Sequence, residues 1–238
     1  VTDITPLKQF EEKLQYLLAE KTGLLNEVHH RVKNNLQVIT SLLRLEAGRS
    51  DQHNTKAVLT EMQARIRAMA LLHESLYRSG VFASIDLSAY LNQVVSQAHR
   101  AQIDKASAVS LQLDLVPAQV NMDQAMPCGL LVNELISNCF KHAFPDGRGG
   151  QLRVSLQTIG DANHLQLIVS DNGVGLPDDF EARCESSLGL QLARDLAMQI
   201  GGSLEVTQYD AEQKGQGTQC SVKFAIDHEK LTDPDRPQ

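Results

Sequence analysis

The apolar positions of the first fifty residues keep a helical rhythm. Leu18, Leu25, Val32 and Ile39 recur every seven residues, with Leu14, Val28 and Leu42 falling between them. This is the a/d seam of a helix that packs on partner helices, interrupted at two d positions by Lys21 and Asn35. The pattern predicts one long helix from about Thr5 to Arg49, broken around Ala47-Gly48-Arg49-Ser50. A second helix is expected from about Gln52 to Tyr77, with Val58, Met62, Ile66, Met69, Leu72 and Leu76 as its apolar stripe. Two long helices joined by a short polar turn make an antiparallel hairpin. A single hairpin has little to bury its apolar face against. Two hairpins paired in a four-helix bundle, as a homodimer, solve that problem. A hairpin folded back on the rest of its own chain satisfies the same pattern.

The character of the sequence changes after Ser79-Gly80. Leu87, Tyr90, Leu91, Val94, Val95 and Ala98 predict a helix over Asp86 to Arg100. Val109, Leu111, Leu113 and Leu115 alternate with polar residues, as a half-buried strand does. A helix is expected next, from about Asp123 to Phe144, with Pro127 placed in its first turn. Leu152, Val154 and Leu156 mark a strand, and Leu165, Leu167 and Val169 another. Ser186 to Ile200 reads as a helix stopped by Gly201-Gly202. Leu204–Tyr209 and Thr218–Ile226 read as a closing pair of strands. The expectation is an α+β chain, with one face of a mixed sheet covered by helices. It divides into a helical hairpin over residues 1–80, a mixed domain over 81–228 and a charged tail over 229–238.

Composition narrows the function. The chain has 238 residues, no Trp, few aromatic residues and a formal net charge of −7, so it lacks the basic face that nucleic acid or a membrane surface demands. Cys128, Cys139, Cys184 and Cys220 have no metal-like spacing and read as free thiols of a reducing, cytoplasmic compartment. No stretch is long and apolar enough to span a bilayer. The chain opens at Val1 inside a Glu/Lys-rich helical pattern. We read it as a fragment whose upstream part, a sensory domain or a membrane anchor, is missing.

Four stretches carry candidate chemistry. In the first helix, taking Val32 as an a position puts His30 at f, away from the seam, and His29 at e, on its flank. A nucleophile that another group must reach belongs at f, although an ordinary surface histidine also fits there. In NELISNCFKHAF, Glu134, Asn138, Lys141 and His142 share one face at roughly 100° per residue, while Leu135, Ile136, Cys139 and Phe140 supply the buried side. An amide beside a carboxylate suits Mg²⁺ with phosphate oxygens, and the ammonium would meet the phosphates. An ordinary solvated helix face is the plainer alternative.

DNGVGLP, Asp171 to Pro177, comes after an apolar strand, where Asn-Gly more often makes a hairpin turn. No second strand comes directly after it here. Gly173 and Gly175 allow backbone to approach a flat ligand, and Asp171 is placed to accept from an exocyclic amine such as that of adenine. Ser187 and Gly189 open the next helix, whose free N–H groups form an anion site; serine capping with a packing glycine reads equally well. Gly215-Gln216-Gly217-Thr218 adds a tight turn and a hydroxyl. Eight residues separate Pro177 from Ser186, so any lid over a ligand is short.

The ordered set, HHRVKNN on a hairpin and then NELISNCFKH, DNGVG, SLGL and GQGT, resembles the core of a sensor histidine kinase. The resemblance spans nearly the whole chain. It implies a dimerisation and phosphotransfer hairpin succeeded by an α/β-sandwich Bergerat-type ATP-binding domain, in a branch related to the HWE kinases but without their tryptophan. It implies that His30 is the phosphorylated residue and that Asn138 holds Mg²⁺, with Glu134 positioning or polarising nearby. Lys141 and His142 would contact phosphates, and Asp171 would recognise adenine. Gly173, Gly175, Gly189 and Gly217 would shape the pocket, with Ser187 and Thr218 beside them. The implied cofactors are ATP and Mg²⁺, and the implied partner is the aspartate-bearing receiver of a separate response regulator. Arg31 stands where many such kinases carry an acid, so the base assisting His30 is not identified; Glu27, one turn earlier, is a candidate to hold the ring. Asn34, one turn later, is a candidate for orienting water in phosphatase chemistry. A nucleotide-binding module without self-phosphorylation and a Bergerat ATPase or serine kinase are the rival readings.

Overall fold

The computed structural model describes residues 5–50, 52–79, 84–101, 109–160, 163–177, 179–180, 187–210 and 216–227. The expected lid, most of the link after the hairpin, Cys184, Gly215 and the tail lie outside the described residues, as do the side chains of Leu18, Leu25, His29, His30 and Leu76.

Helices α1 (Thr5–Arg49) and α2 (His53–Ser79) form the expected hairpin. The turn between them is too short for anything but antiparallel return, and Lys33 Nζ reaches Glu74 Oε1 across the pair at 3.4 Å. The seam of α1 stays largely bare within this chain: Leu14 is 50% exposed, Val28 55%, Ile39 44% and Leu42 56%. The stripe of α2 divides. Val58 and Met62, near the turn, are exposed, whereas Ala68 and Leu72 enter the main core. The fold-back on the chain's own core is therefore used at the Leu72 end of α2, and the end near the turn stays open.

The short ribbon of β1 (Ile85–Asp86) against β3 (Gln119–Val120) escapes the sequence pattern, because two-residue strands have no period to detect. Asp86 caps α3 (Leu87–Arg100) by accepting from Ala89 N. Asn121 does the same for α4 (Met122–Asn138), accepting from Gln124 N. That cap starts α4 early enough to put Pro127 in its second turn rather than its first. Lacking an N–H, Pro127 cannot donate to the carbonyl four residues back. The predicted helix to Phe144 also ends differently: after Asn138 the chain widens into a π-helical turn over Cys139–Ala143.

Strands β2 (Val109–Leu115), β4 (Gly150–Thr158), β5 (His164–Asp171), β6 (Leu204–Asp210) and β7 (Gln216–Ala225) form one sheet in the order β2-β4-β5-β7-β6. Only β2 and β4 pair in parallel, and α4 provides the crossover that parallel neighbours need. In the centre, Val154 lies opposite Val169 and Leu156 opposite Leu167, all buried on the face that packs on helices. Helices α3, α4 and α5 (Leu188–Gln199) cover that face. The mixed sheet with one helical layer agrees with the α+β expectation.

Tyr90 joins the two parts. Its hydroxyl donates to Ala68 O of α2 at 3.2 Å, and its ring lies over Gly129 of α4, where a Cβ would collide with it. Leu72 is fully buried at the same junction.

Candidate functional site

A cavity of about 440 Å³ opens between α4, the β5 end, the first turn of α5 and β7. It is mainly apolar, with Leu135, Val174, Leu176, Leu190 and Val206 among its walls. Asp171 ends β5, opposite Leu152 in the register, and is 3% exposed. Its Oδ1 accepts from Gly173 N at 2.9 Å and from Thr218 N at 3.3 Å, while Oδ2 accepts from Cys139 Sγ at 3.5 Å. Burial raises the Asp171 carboxyl above its usual value, outweighing the opposing pull of the Gly173 and Thr218 N–H groups and the Cys139 thiol. One carboxylate edge is thus locked by backbone, and the other meets the cavity and a thiol. An apolar slot ending on such an oxygen suits the amine edge of a nucleobase.

The loop after β5 owes its shape to its glycines and to Asn172. Asn172 Oδ1 accepts from Gln151 N at 2.6 Å, tying the loop to the start of β4 instead of turning it into a hairpin. A Cβ at Gly173 would collide with Ala143 O, and Val174 N donates to that carbonyl at 3.0 Å. The π-helical turn and this loop are therefore built against each other. Gly175 has φ 78°, in the left-handed region that favours glycine.

At the other end of the cavity stands the N-terminus of α5. Its N-cap, Ser187, makes no side-chain capping hydrogen bond, so the first-turn N–H groups have no partner from that side chain. The nearest atoms to a Cβ at Gly189 would be Asn138 Oδ1 at 3.7 Å, Glu134 Oε2 at 3.9 Å and Asn138 Nδ2 at 4.0 Å, ordinary contact distances. The glycine is thus not required for packing in the free protein; it keeps space open between a helix N-terminus, an amide and a carboxylate. The N–H groups that open a helix beside such space fit phosphate. Among the described residues no cluster of three His, Cys, Asp or Glu gathers to hold a metal. A hard cation here would rest on the Asn138 amide together with ligand phosphate oxygens.

The structure brings Asn138, His142, Asp171, Gly175, Ser187 and Thr218 to the cavity wall, with Gly189 beside Asn138. Gly217 is buried in β7, opposite Tyr209. Burial, then the Lys141 charge, holds the His142 imidazole below its usual value, so it faces the cavity mainly as a neutral hydrogen-bonding group. Glu134 and Lys141 behave differently from their helix neighbours. Glu134 is 1% exposed and binds Arg65 of α2 through both oxygens, Nε at 2.7 Å and Nη2 at 2.9 Å. Lys141 Nζ reaches Glu61 Oε2 of α2 at 2.8 Å. The shared face thus divides: Glu134 and Lys141 meet α2, while Asn138 and His142 line the cavity.

Sequence reasoning missed Cys139, Arg65 and Glu61 as parts of this neighbourhood. Glu61 and Arg65 do carry a local signal, an acid four residues before a base on one helix, and they pair at 2.7 Å. Nothing in the sequence names their distant partners. Glu27, the candidate to hold His30, accepts from Arg31 at 2.6 Å in an exposed pair.

Residues 27–102 match the family model described as histidine kinase. Residues 124–228 match the model for histidine kinase-, DNA gyrase B- and HSP90-like ATPases. The chain is 31% identical over 217 residues to the sensor histidine kinase PdtaS of Mycobacterium tuberculosis (strain CDC 1551 / Oshkosh), covering 90% of this chain and 41% of that protein. It thus spans about two fifths of that relative's length. It is 29% identical over 246 residues to blue-light-activated histidine kinase 2 of Erythrobacter litoralis (strain HTCC2594), covering 94% of this chain and 68% of the relative. The solved histidine kinase domain of the Erythrobacter litoralis EL346 blue-light activated kinase superposes with a TM-score of 0.64 at 28% identity, covering 92% of this chain and 98% of that one.

Proposed function

Since the chain belongs to the histidine kinase family, we propose that it is the catalytic core of a two-component sensor kinase, phosphorylating its own His30 from MgATP. The observation that carries this reading is the cavity with Asp171 at one end and the α5 N-terminus beside Asn138 at the other. That spacing of a base-reading carboxylate and a phosphate-ready helix end is what a nucleotide needs.

In this reading Asp171 accepts from the adenine amine, and Gly173 and Gly175 let the loop lie along the base. Ser187, Gly189 and the first-turn N–H groups of α5 receive phosphate, with Gly217 and Thr218 closing the β7 side. Asn138 would hold Mg²⁺, Glu134 would position or polarise beside it, and Lys141 and His142 would contact phosphates. The metal, when bound, offsets charge on the transferring phosphoryl group. An imidazole with an ordinary pKa near 6.5 is about three-quarters neutral at pH 7, so attack by His30 depends chiefly on placement.

The hairpin to about residue 80 serves dimerisation and phosphotransfer, and the part up to about 228 serves ATP binding. Support for a homodimer comes from the seam of α1, where Leu14, Val28, Ile39 and Leu42 stay about half exposed in this chain. The phosphoryl group then passes to an aspartate on a separate response-regulator receiver. A sensory segment upstream of residue 1 fits the two-fifths span of the mycobacterial relative. Among the described residues no helix is long and apolar enough to cross a membrane.

The test is incubation with γ-labelled ATP and Mg²⁺. Acid-labile label should appear in wild type and in His29→Ala and be absent from His30→Ala. Acid-stable label would replace this reading with serine chemistry. ATP binding without any label would reduce the chain to a nucleotide-binding module.

A further inference from the structure

At the base end of the cavity one donor has no assigned role, the thiol of Cys139. Cys139 and Asp171 both line the cavity, and Sγ donates to Asp171 Oδ2 at 3.5 Å. A carboxylate has about four acceptor sites on its two oxygens. Gly173 N and Thr218 N take two of them on Oδ1, and the thiol takes one on Oδ2. One site on Oδ2 is then left for a ligand. Asp171 is buried, so the direction of that site is set by these donors rather than by bulk water.

The thiol is itself held by the turn that carries it. Cys139 opens the π-helical turn, and its N–H continues the α4 ladder by donating to Leu135 O and Ile136 O. The far end of the turn is pinned where Ala143 O accepts from Val174 N. Between these two points the Phe140 ring packs against His99 of α3 and against Phe144. Alanine in place of Cys139 would keep this backbone and lose the hydrogen on Oδ2. The two N–H groups on Oδ1 would then act as a pivot about which Oδ2 can rock.

That freedom bears on the choice of base. Adenine offers an amine where hypoxanthine and guanine carry a carbonyl. A carboxylate oxygen accepts from the amine but meets the carbonyl as acceptor against acceptor, which leaves both unpaired. A site built to bond one group rejects an analogue that lacks it, because its own polar atoms are left without a partner. That rejection holds only while those atoms stay in place. A rocking Oδ2 weakens the bond to the amine and relieves the clash with the carbonyl.

We propose that Cys139 is a positioning residue that sets the choice of base: its thiol holds Asp171 Oδ2 at the cavity wall, so that the site takes adenine and refuses a purine with a carbonyl in place of the amine. The proposal rests on the reading of Asp171 as the acceptor for adenine given above.

The test compares ATP with inosine triphosphate, which carries the carbonyl, by calorimetry with Mg²⁺ on the full chain. Ribose, phosphates and metal are the same for both, so the ratio of dissociation constants reads the base end alone. Wild type should prefer ATP by roughly tenfold or more. In Cys139→Ala that preference should fall by about threefold or more through weaker ATP binding, with inosine triphosphate bound as well as before or better. An unchanged or larger preference, whether both nucleotides weaken or neither does, overturns the proposal and leaves Cys139 a filler of space. A second measurement needs no change at Cys139. A hydrogen bond to a neutral amide is weaker than one to a carboxylate, so an S–H stretching band in the infrared should move to higher wavenumber in Asp171→Asn. S–H bands that stay where they are in that variant also overturn the proposal. Equal binding of the two nucleotides by wild type removes Asp171 as the reader of adenine, a different failure.

Discussion

The hairpin and the ATP-binding part use similar aliphatic residues to opposite ends. Leu152, Leu156, Leu165 and Leu167 of the sheet are nearly inaccessible, whereas Leu14, Leu24, Leu42 and Leu45 of α1 stand more or less half exposed. The sheet region closes its core within one chain. Among its described residues the hairpin joins that core at Ala68 and Leu72, while the α1 face stays open. The same side chain thus marks a closed core in one region and an open face in the other.

The sharpest way to break this comparison is at the junction of the two regions. Arg65→Ala leaves the buried Glu134 without its guanidinium partner, and should cost about 3–5 kcal/mol in urea unfolding. A cost below ~1 kcal/mol would mean that the hairpin is not seated on α4 in solution. Next comes a matched pair of leucines. Leu156→Ala should cost about 2–5 kcal/mol, and Leu42→Ala within about 0.5 kcal/mol at concentrations where the chain is monomeric. Equal costs would show that the α1 seam is covered after all, and sedimentation should find Leu42→Ala weakening self-association instead.

Asp171→Asn probes the ATP-binding side alone, and should weaken ATP binding by roughly 10–100-fold in calorimetry, the loss of one charge-assisted hydrogen bond of about 1.5–3 kcal/mol. The raised carboxyl also sets a pH dependence. The folded state holds this proton more tightly than the unfolded chain, so the contribution of Asp171 to stability falls as pH rises from 3.8 through the raised value. ATP affinity runs the other way, declining as pH drops through that raised value. Asp171→Asn should remove both limbs. The smallest effect belongs to Glu27→Gln, whose exposed pair with Arg31 should be worth less than about 1 kcal/mol by thermal melting.

Long periodic segments were legible from the sequence: α1 runs over the expected Thr5–Arg49, and Asp86 precedes α3 as its cap. So were the residues of the cavity wall, because Asp171, Gly175 and Ser187 sit at strand and helix ends where turn chemistry leaves a local mark. Three things left no such mark. The network linking Arg65 to Glu134 joins positions far apart in sequence, and charged residues on a helix face do not announce a distant partner. The exposure of Leu42 against the burial of Leu72 depends on what the hairpin touches rather than on its own period. The wider turn over Cys139–Ala143 depends on the loop after Asp171, against which it packs.

That wider turn has a genetic consequence. A π-helical turn holds one residue more than the α-helical register accommodates. The turn takes up that residue without rotating the chain beyond it, so deleting one residue of Cys139–Ala143 should return the segment to ordinary helix and leave the later chain on course. A two-residue deletion has no such slack: it would rotate the chain beyond by about 100° and take the Ala143 carbonyl from Val174. Single-codon deletions should therefore be tolerated here far better than double ones.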